Sequence, residues 1–169
     1  MPPPIEAAAA FGIAYRPMTD DDLPFVAALY ATTRAEEFAE AGLPPEMAAA
    51  LSDHQHRAQH DYYRSAYKDA EWLIVEQDGE AIGRLYLAPV DGTIRLIDIS
   101  LMPEARDGGI GTAILSDLLA DAERRGLAVT LHVDPGSRAQ RLYERHGFAP
   151  VAELPGHLKM EWPAPAGSQ

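Results

Sequence analysis

The chain has 169 residues, no cysteine, and a formal net charge of −12. The absence of cysteine excludes disulfides, thiolate metal sites and a cysteine nucleophile, and the acidic charge argues against non-specific binding to nucleic acid. No apolar run approaches membrane-spanning length and no basic, apolar leader opens the chain, so we expect a cytoplasmic protein with no membrane partner. We expect a single domain over residues 12–162, with flexible termini at 1–11 and 163–169.

The first third of the chain predicts a short strand and two helices. Residues 13–16 have strand character, and Thr19 and Asp20 are typical N-cap residues before an amphipathic helix that ends near Phe38. A glycine and two prolines break this helix, and a second helical stretch covers residues 46–67. It carries three histidines, two of them four residues apart, but no acidic or thiol ligand completes a set. We therefore expect packed or solvated histidines and no bound metal.

The middle of the chain predicts a three-stranded antiparallel meander. Strands at 71–77, 81–88 and 93–101 are joined by two Asp-Gly pairs, which are strong hairpin-turn signals. A long helix ending near Arg125 and a strand at 128–133 follow, and a strand–helix–strand unit of this length forms a parallel pair with a right-handed crossover. Because the third strand is apolar on both sides, we expect it in the middle of the sheet.

The last part of the chain predicts a fourth helix and a hairpin. The helix covers residues 137–145 with Ser137 as its N-cap, and the hairpin pairs residues 148–153 with 157–162. The expected fold class is mixed α/β, with a central sheet of about six to seven strands and about four helices. The outer strand of the hairpin offers an edge to a second copy, so a homodimer is an open alternative.

A glycine-rich turn lies between the central strand and the long helix. Arg106 precedes Gly108, Gly109 and Gly111, and no capping side chain stands at the helix start. Unpaired backbone N–H groups there carry partial positive charge, and glycine lets an anion approach them, so phosphate is the natural ligand. A glycine turn without a ligand is the alternative. No lysine of the Walker type follows, and Ile114 replaces the last glycine of a dinucleotide fingerprint, so neither pattern applies.

Two motifs resemble those of the GNAT superfamily of N-acetyltransferases. The R-x-x-G-x-G sequence of residues 106–111 is similar to the family's acyl-CoA pyrophosphate loop, Q/R-x-x-G-x-G/A. The A-x-x-L-Y-x-x-x-G-F sequence of residues 139–148 resembles the motif that follows the fifth strand of that family. The motifs occur in the family's order, and the resemblance extends over residues 13–162. It implies a sheet that splays between its fourth and fifth strands.

The resemblance further implies transfer of an acetyl group from acetyl-CoA to a primary amine of a small molecule or peptide. Because no cysteine can carry an acyl group, the amine is expected to attack acetyl-CoA directly in a ternary complex. In such enzymes the fourth strand holds the pantetheine and the glycine loop holds the phosphates. The implied coenzyme-binding positions are Ile99, Leu101, Met102, Arg106, Asp107, Gly108, Gly109, Ile110, Gly111, Thr112, Ser137 and Arg138.

Three residues are candidates for acid and base catalysis. The resemblance implies that Tyr143 protonates the leaving sulfur. Asp98 is a lone carboxylate on an apolar strand and one candidate base, with a salt bridge to Arg84 or Arg95 as the alternative. His132 ends the next strand, where ligands gather in α/β sheets, and is the other candidate, with packing at the sheet rim as the alternative. Some family members use a water chain instead. The positions implied on the acceptor side are Arg34, His60, Tyr62 and Tyr63.

The sequence departs from the family pattern at two places. Asp107 puts a negative charge in the phosphate loop, and residues 134–137 lack the asparagine that often opens the fourth helix. Positive charge for the anionic coenzyme comes from the helix start and from Arg106, Arg138 and Arg141, while the acidic surface favours a cationic acceptor. Two other functions fit the same motifs: a non-catalytic acyl-CoA-binding or regulatory module, and a nucleotide-binding module.

Overall fold

The structure is a computed structural model, and it describes residues 2–165. Within that range, one sheet of seven strands is combined with four α-helices, as the sequence predicts. The strands are β1 Ile13–Pro17, β2 Glu71–Gln77, β3 Glu80–Val90, β4 Thr93–Leu101, β5 Val129–Val133, β6 Ala149–Leu154 and β7 His157–Trp162. The helices are α1 Leu23–Glu40, α2 Pro45–Ala66, α3 Ile110–Arg125 and α4 Arg138–Arg145.

The sheet has the order β1-β2-β3-β4-β5-β7-β6, which places β4 at its centre. The pair β4–β5 is parallel, and the other neighbouring pairs are antiparallel. The parallel ladder ends at the pair of Leu96 and Leu131, although β4 continues to Leu101. Ile97 is skipped in the pairing of β4 with β3, which makes a β-bulge at the same point. The predicted splay between the fourth and fifth strands is therefore confirmed.

Helix α3 and helices α1 and α2 cover opposite faces of the sheet. The apolar side of α3 packs on one face, where Leu96 and Leu131 are at most 2% exposed. On the other face, Tyr63 of α2 packs against Trp72 and Tyr86. The expected apolar character on both sides of β4 is wrong, although the strand is central: Leu96, Ile99 and Leu101 lie on the α3 face. The α2 face of β4 carries Arg95 and Asp98, because the bulge at Ile97 shifts the alternation of side chains. Among the described residues, no helix combines the length and apolar character needed to cross a membrane.

The N-terminal segment is packed against α3, within the range that the sequence predicts to be flexible. The carboxylate of Asp117 on α3 accepts hydrogen bonds from the backbone N–H groups of Glu6, Ala7 and Ala8 at 3.0, 2.7 and 3.0 Å. Residues Ala7–Phe11 then form a 3-10 turn, and Ala8 is completely buried. An alanine-rich sequence shows no periodicity, so nothing local predicts this contact. Met1 and residues 166–169 of the predicted flexible tail lie outside the described residues.

Candidate active site

The separation of β4 from β5 leaves a stretch of β4 backbone without a strand on one side. The side chains of Ile99 and Leu101 pack on the α3 core. Met102, one of the implied coenzyme-binding positions, has no free backbone N–H, because its N–H donates to the carbonyl of Ile82 on β3 at 2.7 Å. Because backbone N–H groups alternate in direction along a strand, those of Leu101 and Ile99 are directed to the other side, into the gap.

The glycine loop ends beside this gap. Gly109 is the N-cap of α3 with φ +94° and ψ −2°, and no side chain caps the helix. A Cβ at Gly109 would lie 3.4 Å from Cζ of Phe11, and one at Gly111 would lie 3.8 Å from Cδ1 of Leu101. A Cβ at Gly108 would meet nothing within 4 Å. The helix start is therefore open to a ligand, and its left-handed N-cap suits glycine.

The first turn of α3 combines a buried side chain with free backbone donors. Ile110 is 6% exposed and anchors the turn in the core, while Thr112 is exposed. The first intrahelical bond runs from the Ala113 N–H to the Gly109 carbonyl at 2.9 Å, so the N–H groups before Ala113 precede the helical ladder. Free N–H groups at an uncapped helix start match the hydrogen-bonding needs of a phosphate group.

The charged side chains of the loop are partly engaged within the protein. The Arg106 guanidinium donates to the Leu101 carbonyl and to Oγ1 of Thr32 on α1, both at 2.8 Å. Arg138 lies at the start of α4 and reaches the loop, where its Nη2 is 3.6 Å from Oδ1 of Asp107. These two side chains are 85% and 81% exposed, so water screens their pairing strongly. The structure thus brings Arg138 to the loop, while Arg106 ties the end of β4 to α1.

Helix α4 positions the predicted acid. The Ser137 hydroxyl accepts a hydrogen bond from the Gln140 N–H at 3.2 Å, which confirms Ser137 as the N-cap. Tyr143 is 9% exposed, and its ring centroid is 5.5 Å from that of Phe148. Within residues 2–165 the Tyr143 hydroxyl makes no hydrogen bond. Burial, and then the negative charge of Asp98, raise the pKa of this phenol, so it is protonated at neutral pH.

Asp98 is held in a buried ion pair. Its Oδ2 accepts from Nε of Arg84 at 2.6 Å and from the Ser100 hydroxyl at 2.7 Å. The Arg84 side chain is 3% exposed, and its Nη2 also donates to Oε1 of Gln59 on α2 at 2.9 Å. The structure therefore shows the salt bridge with Arg84 that is the alternative to a free catalytic carboxylate.

His132 lies on the exposed side of β5, next to a second histidine. The ring centroids of His132 and His157 are 4.7 Å apart. Partial burial, followed by the positive charges of Arg95, His157 and Lys159, lowers the pKa of His132 to about 4. The imidazole is neutral at pH 7, but a base of such low pKa has little driving force to accept a proton.

Comparison with known proteins agrees with this geometry. The family model for the acetyltransferase (GNAT) family matches residues 32–148, which is more than half of the chain. The chain belongs to the GNAT acetyltransferase family. Comparison with curated proteins gives no match.

Solved structures share the fold of this GNAT chain. The PaiA N-acetyltransferase of Thermoplasma acidophilum, in complex with coenzyme A, is 18% identical with a TM-score of 0.64, over 88% of this chain and 97% of that one. The ribosomal-protein-S18-alanine N-acetyltransferase of Escherichia coli is 21% identical with a TM-score of 0.59, over 92% and 96%. A GNAT acetyltransferase of Elizabethkingia anophelis with acetyl-CoA bound is 17% identical with a TM-score of 0.59, over 90% and 98%.

The side chains expected on the acceptor side of this GNAT have varied environments. Nε of Arg34 donates to Gln55 at 3.3 Å, and its Nη1 pairs with Glu37 at 2.9 Å. Tyr62 is 63% exposed, whereas Tyr63 stacks on Trp72 with centroids 6.5 Å apart. The His60 and His56 rings are 6.2 Å apart in an aromatic row, and no group of metal-ligating side chains occurs among the described residues.

Two buried arginines on this face were not assigned a binding role from the sequence. Arg84 and Arg95 are 3% and 8% exposed, and both lie on strands that are otherwise mainly apolar. Sequence reasoning treated them only as partners for Asp98. A charged residue within an apolar strand is the signal that marks them, because burying a guanidinium is costly unless something binds it.

Proposed function

We propose that this GNAT protein transfers an acetyl group from acetyl-CoA to a primary amine. One observation carries the proposal: beyond Leu96, the side of β4 that has no strand partner lies beside the uncapped start of α3. A strand edge and a helix start, side by side, suit a ligand with an amide-containing arm and a phosphate group. The bound coenzyme A of the Thermoplasma acidophilum enzyme and the acetyl-CoA of the Elizabethkingia anophelis enzyme support this choice of cosubstrate.

Coenzyme binding would rest mainly on the backbone. The free N–H groups of Ile110, Gly111 and Thr112 would bind the phosphates, with Gly109 allowing close approach. The N–H groups of Ile99 and Leu101 would hold the amide-containing arm along β4. When bound, acetyl-CoA supplies an acetyl group that is activated as a thioester.

The chemistry then requires only a few groups of the chain. The amine nitrogen forms a bond to the thioester carbonyl carbon, and the bond from that carbon to sulfur breaks. Strand N–H groups at the gap polarise the carbonyl, and the neutral phenol of Tyr143 donates its proton to the leaving sulfur. The proton that the amine loses then replaces the one that the phenol gave up. Because Asp98 is held by Arg84 and His132 is a weak base, we propose that water carries this proton.

Thiol release measured with a thiol-reactive dye tests the proposal. The chain has no cysteine, so the protein contributes no background. We expect thiol release from acetyl-CoA that depends on an amine from a panel of amino acids, polyamines, peptides and aminoglycosides. A protein that binds coenzyme A but releases no thiol with any acceptor would be an acyl-CoA-binding module, and the proposal would be wrong.

The Tyr143→Phe variant tests the role of the phenol. The ring that packs on Phe148 is retained, so unfolding temperature and coenzyme A affinity should stay close to wild type. Loss of a proton donor at the leaving group should lower kcat about 100-fold. A variant with wild-type kcat would remove Tyr143 from the mechanism without affecting the assignment of the reaction.

A further inference from the structure

Arg95 is a buried guanidinium without a carboxylate partner among residues 2–165. It is 8% exposed, and its hydrogen bonds run from Nε to Oγ1 of Thr130 at 2.9 Å and from Nη1 to the Tyr67 hydroxyl at 3.2 Å. Both acceptors are neutral. The other buried arginine of this face, Arg84, pairs with Asp98 at 2.6 Å. A buried charge costs several kcal/mol unless an opposite charge or strong hydrogen bonds compensate it, so Arg95 is suited to receive an anion.

Arg95 lies on β4 just before the point where β4 and β5 separate. Arg95 pairs with Thr130, one residue before the last parallel pair at Leu96 and Leu131. Its guanidinium lies on the α2 face, because Tyr67 is the C-cap residue of α2. A strand rises about 3.3 Å per residue, so an anion at Arg95 lies only a few ångströms below the point where the strands separate. An amine joined to that anion by a short link would reach the gap.

The surroundings of Arg95 add positive charge. Lys159 and His157 of β7 face His132, and together with Arg95 their charges help to lower the pKa of His132. Two acidic residues lie on this face: Glu161 of β7 is in register with Thr130, and Asp98 of β4 is paired with Arg84. Among the described residues, neither forms an ion pair with Arg95. The local charge therefore favours an anionic group on the acceptor, although the whole chain is acidic.

We propose that the acceptor of this enzyme is an amino acid, an amine that also carries a carboxylate, and that Arg95 binds the carboxylate. The proposal rests on the acetyl-transfer function above and specifies its substrate class. A carboxylate is the anion whose two oxygens match the planar donors of a guanidinium. Thr130 and Tyr67 hold the guanidinium in place, so little side-chain entropy is lost when the carboxylate binds.

The kinetic test compares free L-amino acids with their primary amides as acceptors. In wild type, kcat/KM for the acid should exceed that for the amide about 10- to 100-fold, as expected for hydrogen bonds between charged groups. Arg95→Met should abolish this preference, because KM for the acid rises while kcat/KM for the amide stays the same. It should fold, because it replaces a buried unpaired charge with an apolar side chain of similar length. Arg95→Lys should retain part of the preference. Equal use of acid and amide by wild type, or a preference that survives in Arg95→Met, would overturn the proposal.

A binding measurement separates failure of this proposal from failure of the acetyl-transfer function. The imidazole signals of His132 can be titrated by NMR with and without each acceptor. A carboxylate at Arg95 offsets its charge, so a free amino acid should raise the pKa of His132 in wild type and not in Arg95→Met, and the amide should have no such effect. If the free amino acid raises the pKa of His132 as described but no thiol is released, the carboxylate site stands and the acetyl-transfer reaction is refuted. If thiol is released but the pKa of His132 is the same with the free amino acid as with its amide, only the carboxylate site is refuted.

Discussion

The substitution Gly109→Ala tests whether the start of α3 binds the coenzyme. Gly109 has φ +94°, and an alanine forced into the left-handed region costs about 1–2 kcal/mol. Its Cβ would lie 3.4 Å from Cζ of Phe11, which is ordinary contact, so backbone strain rather than a clash dominates. The variant must either retain the strained loop or turn the first N–H groups of α3 away from the phosphate position.

The first response lowers the free energy of unfolding and the second weakens coenzyme binding. The two losses of free energy should add up to about 1–2 kcal/mol. If the loop keeps its conformation, the free energy of unfolding falls by that amount. If the loop relaxes in the free protein, coenzyme A binding must restore it, and the affinity falls about 5- to 30-fold. Isothermal titration with coenzyme A and urea unfolding, carried out on the same samples, measure the two parts.

Gly111→Ala is the matched control. Gly111 is already in the helix, and its added Cβ would lie 3.8 Å from Cδ1 of Leu101, with room to spare. Alanine favours the helix over glycine, so stability should be equal or higher and coenzyme A affinity close to wild type. A Gly109→Ala protein with wild-type stability and wild-type affinity would refute the reasoning, as would a larger loss of affinity in Gly111→Ala.

Two further predictions concern the carboxylates of Asp98 and Asp117, which accept hydrogen bonds within the protein. Asp98→Asn leaves Arg84 without a charged partner and should lower the free energy of unfolding by about 3 kcal/mol. Ser100→Ala removes one hydrogen bond to Asp98 and should lower it by about 1 kcal/mol. Urea unfolding measures both, and an Asp98→Asn protein as stable as wild type would contradict the ion-pair role. Asp117→Ala removes the acceptor of three backbone N–H groups and should cost about 2–4 kcal/mol while hydrogen exchange at Ala8 accelerates. Unchanged protection of Ala8 would show that another contact holds the N-terminal segment.

Local sequence patterns predicted the parts of the site that are built from neighbouring residues. The loop of residues 106–111 is followed by a helix without a side-chain cap, and Ser137 caps the next helix, as expected. The central position of β4 was also predicted, although only its α3 face is apolar and its α2 face carries Arg95 and Asp98. These features depend on a few adjacent positions whose chemistry is visible in the sequence.

Contacts between distant residues were not predictable in the same way. Asp117 binds the N–H of Glu6 across 111 positions, and no pattern in the alanine-rich N-terminus indicates it. The sequence does not show which N–H groups of β4 are free, because their direction depends on the register with β3, where the Met102 N–H bonds to Ile82. Arg95 was considered only as a partner for Asp98, because its neutral partners, at the end of α2 and on β5, are known only from the fold.

The charge of the chain and the charge of its proposed ligands point to the backbone as the main source of affinity. Exposed side chains offer little help at the loop, since Arg138 is offset by Asp107 and Arg106 is bound to Leu101 and Thr32. Besides the exposed Arg141, the positive charge comes from the start of α3, whose N–H groups carry a fixed potential that no side-chain rotation can remove. A backbone site tolerates an acidic neighbour and an acidic surface because its donors act at contact distance, where solvent screens them least. The same reasoning separates the two proposed anion sites: the phosphates would be held by main-chain groups, and the carboxylate of the acceptor by one buried guanidinium.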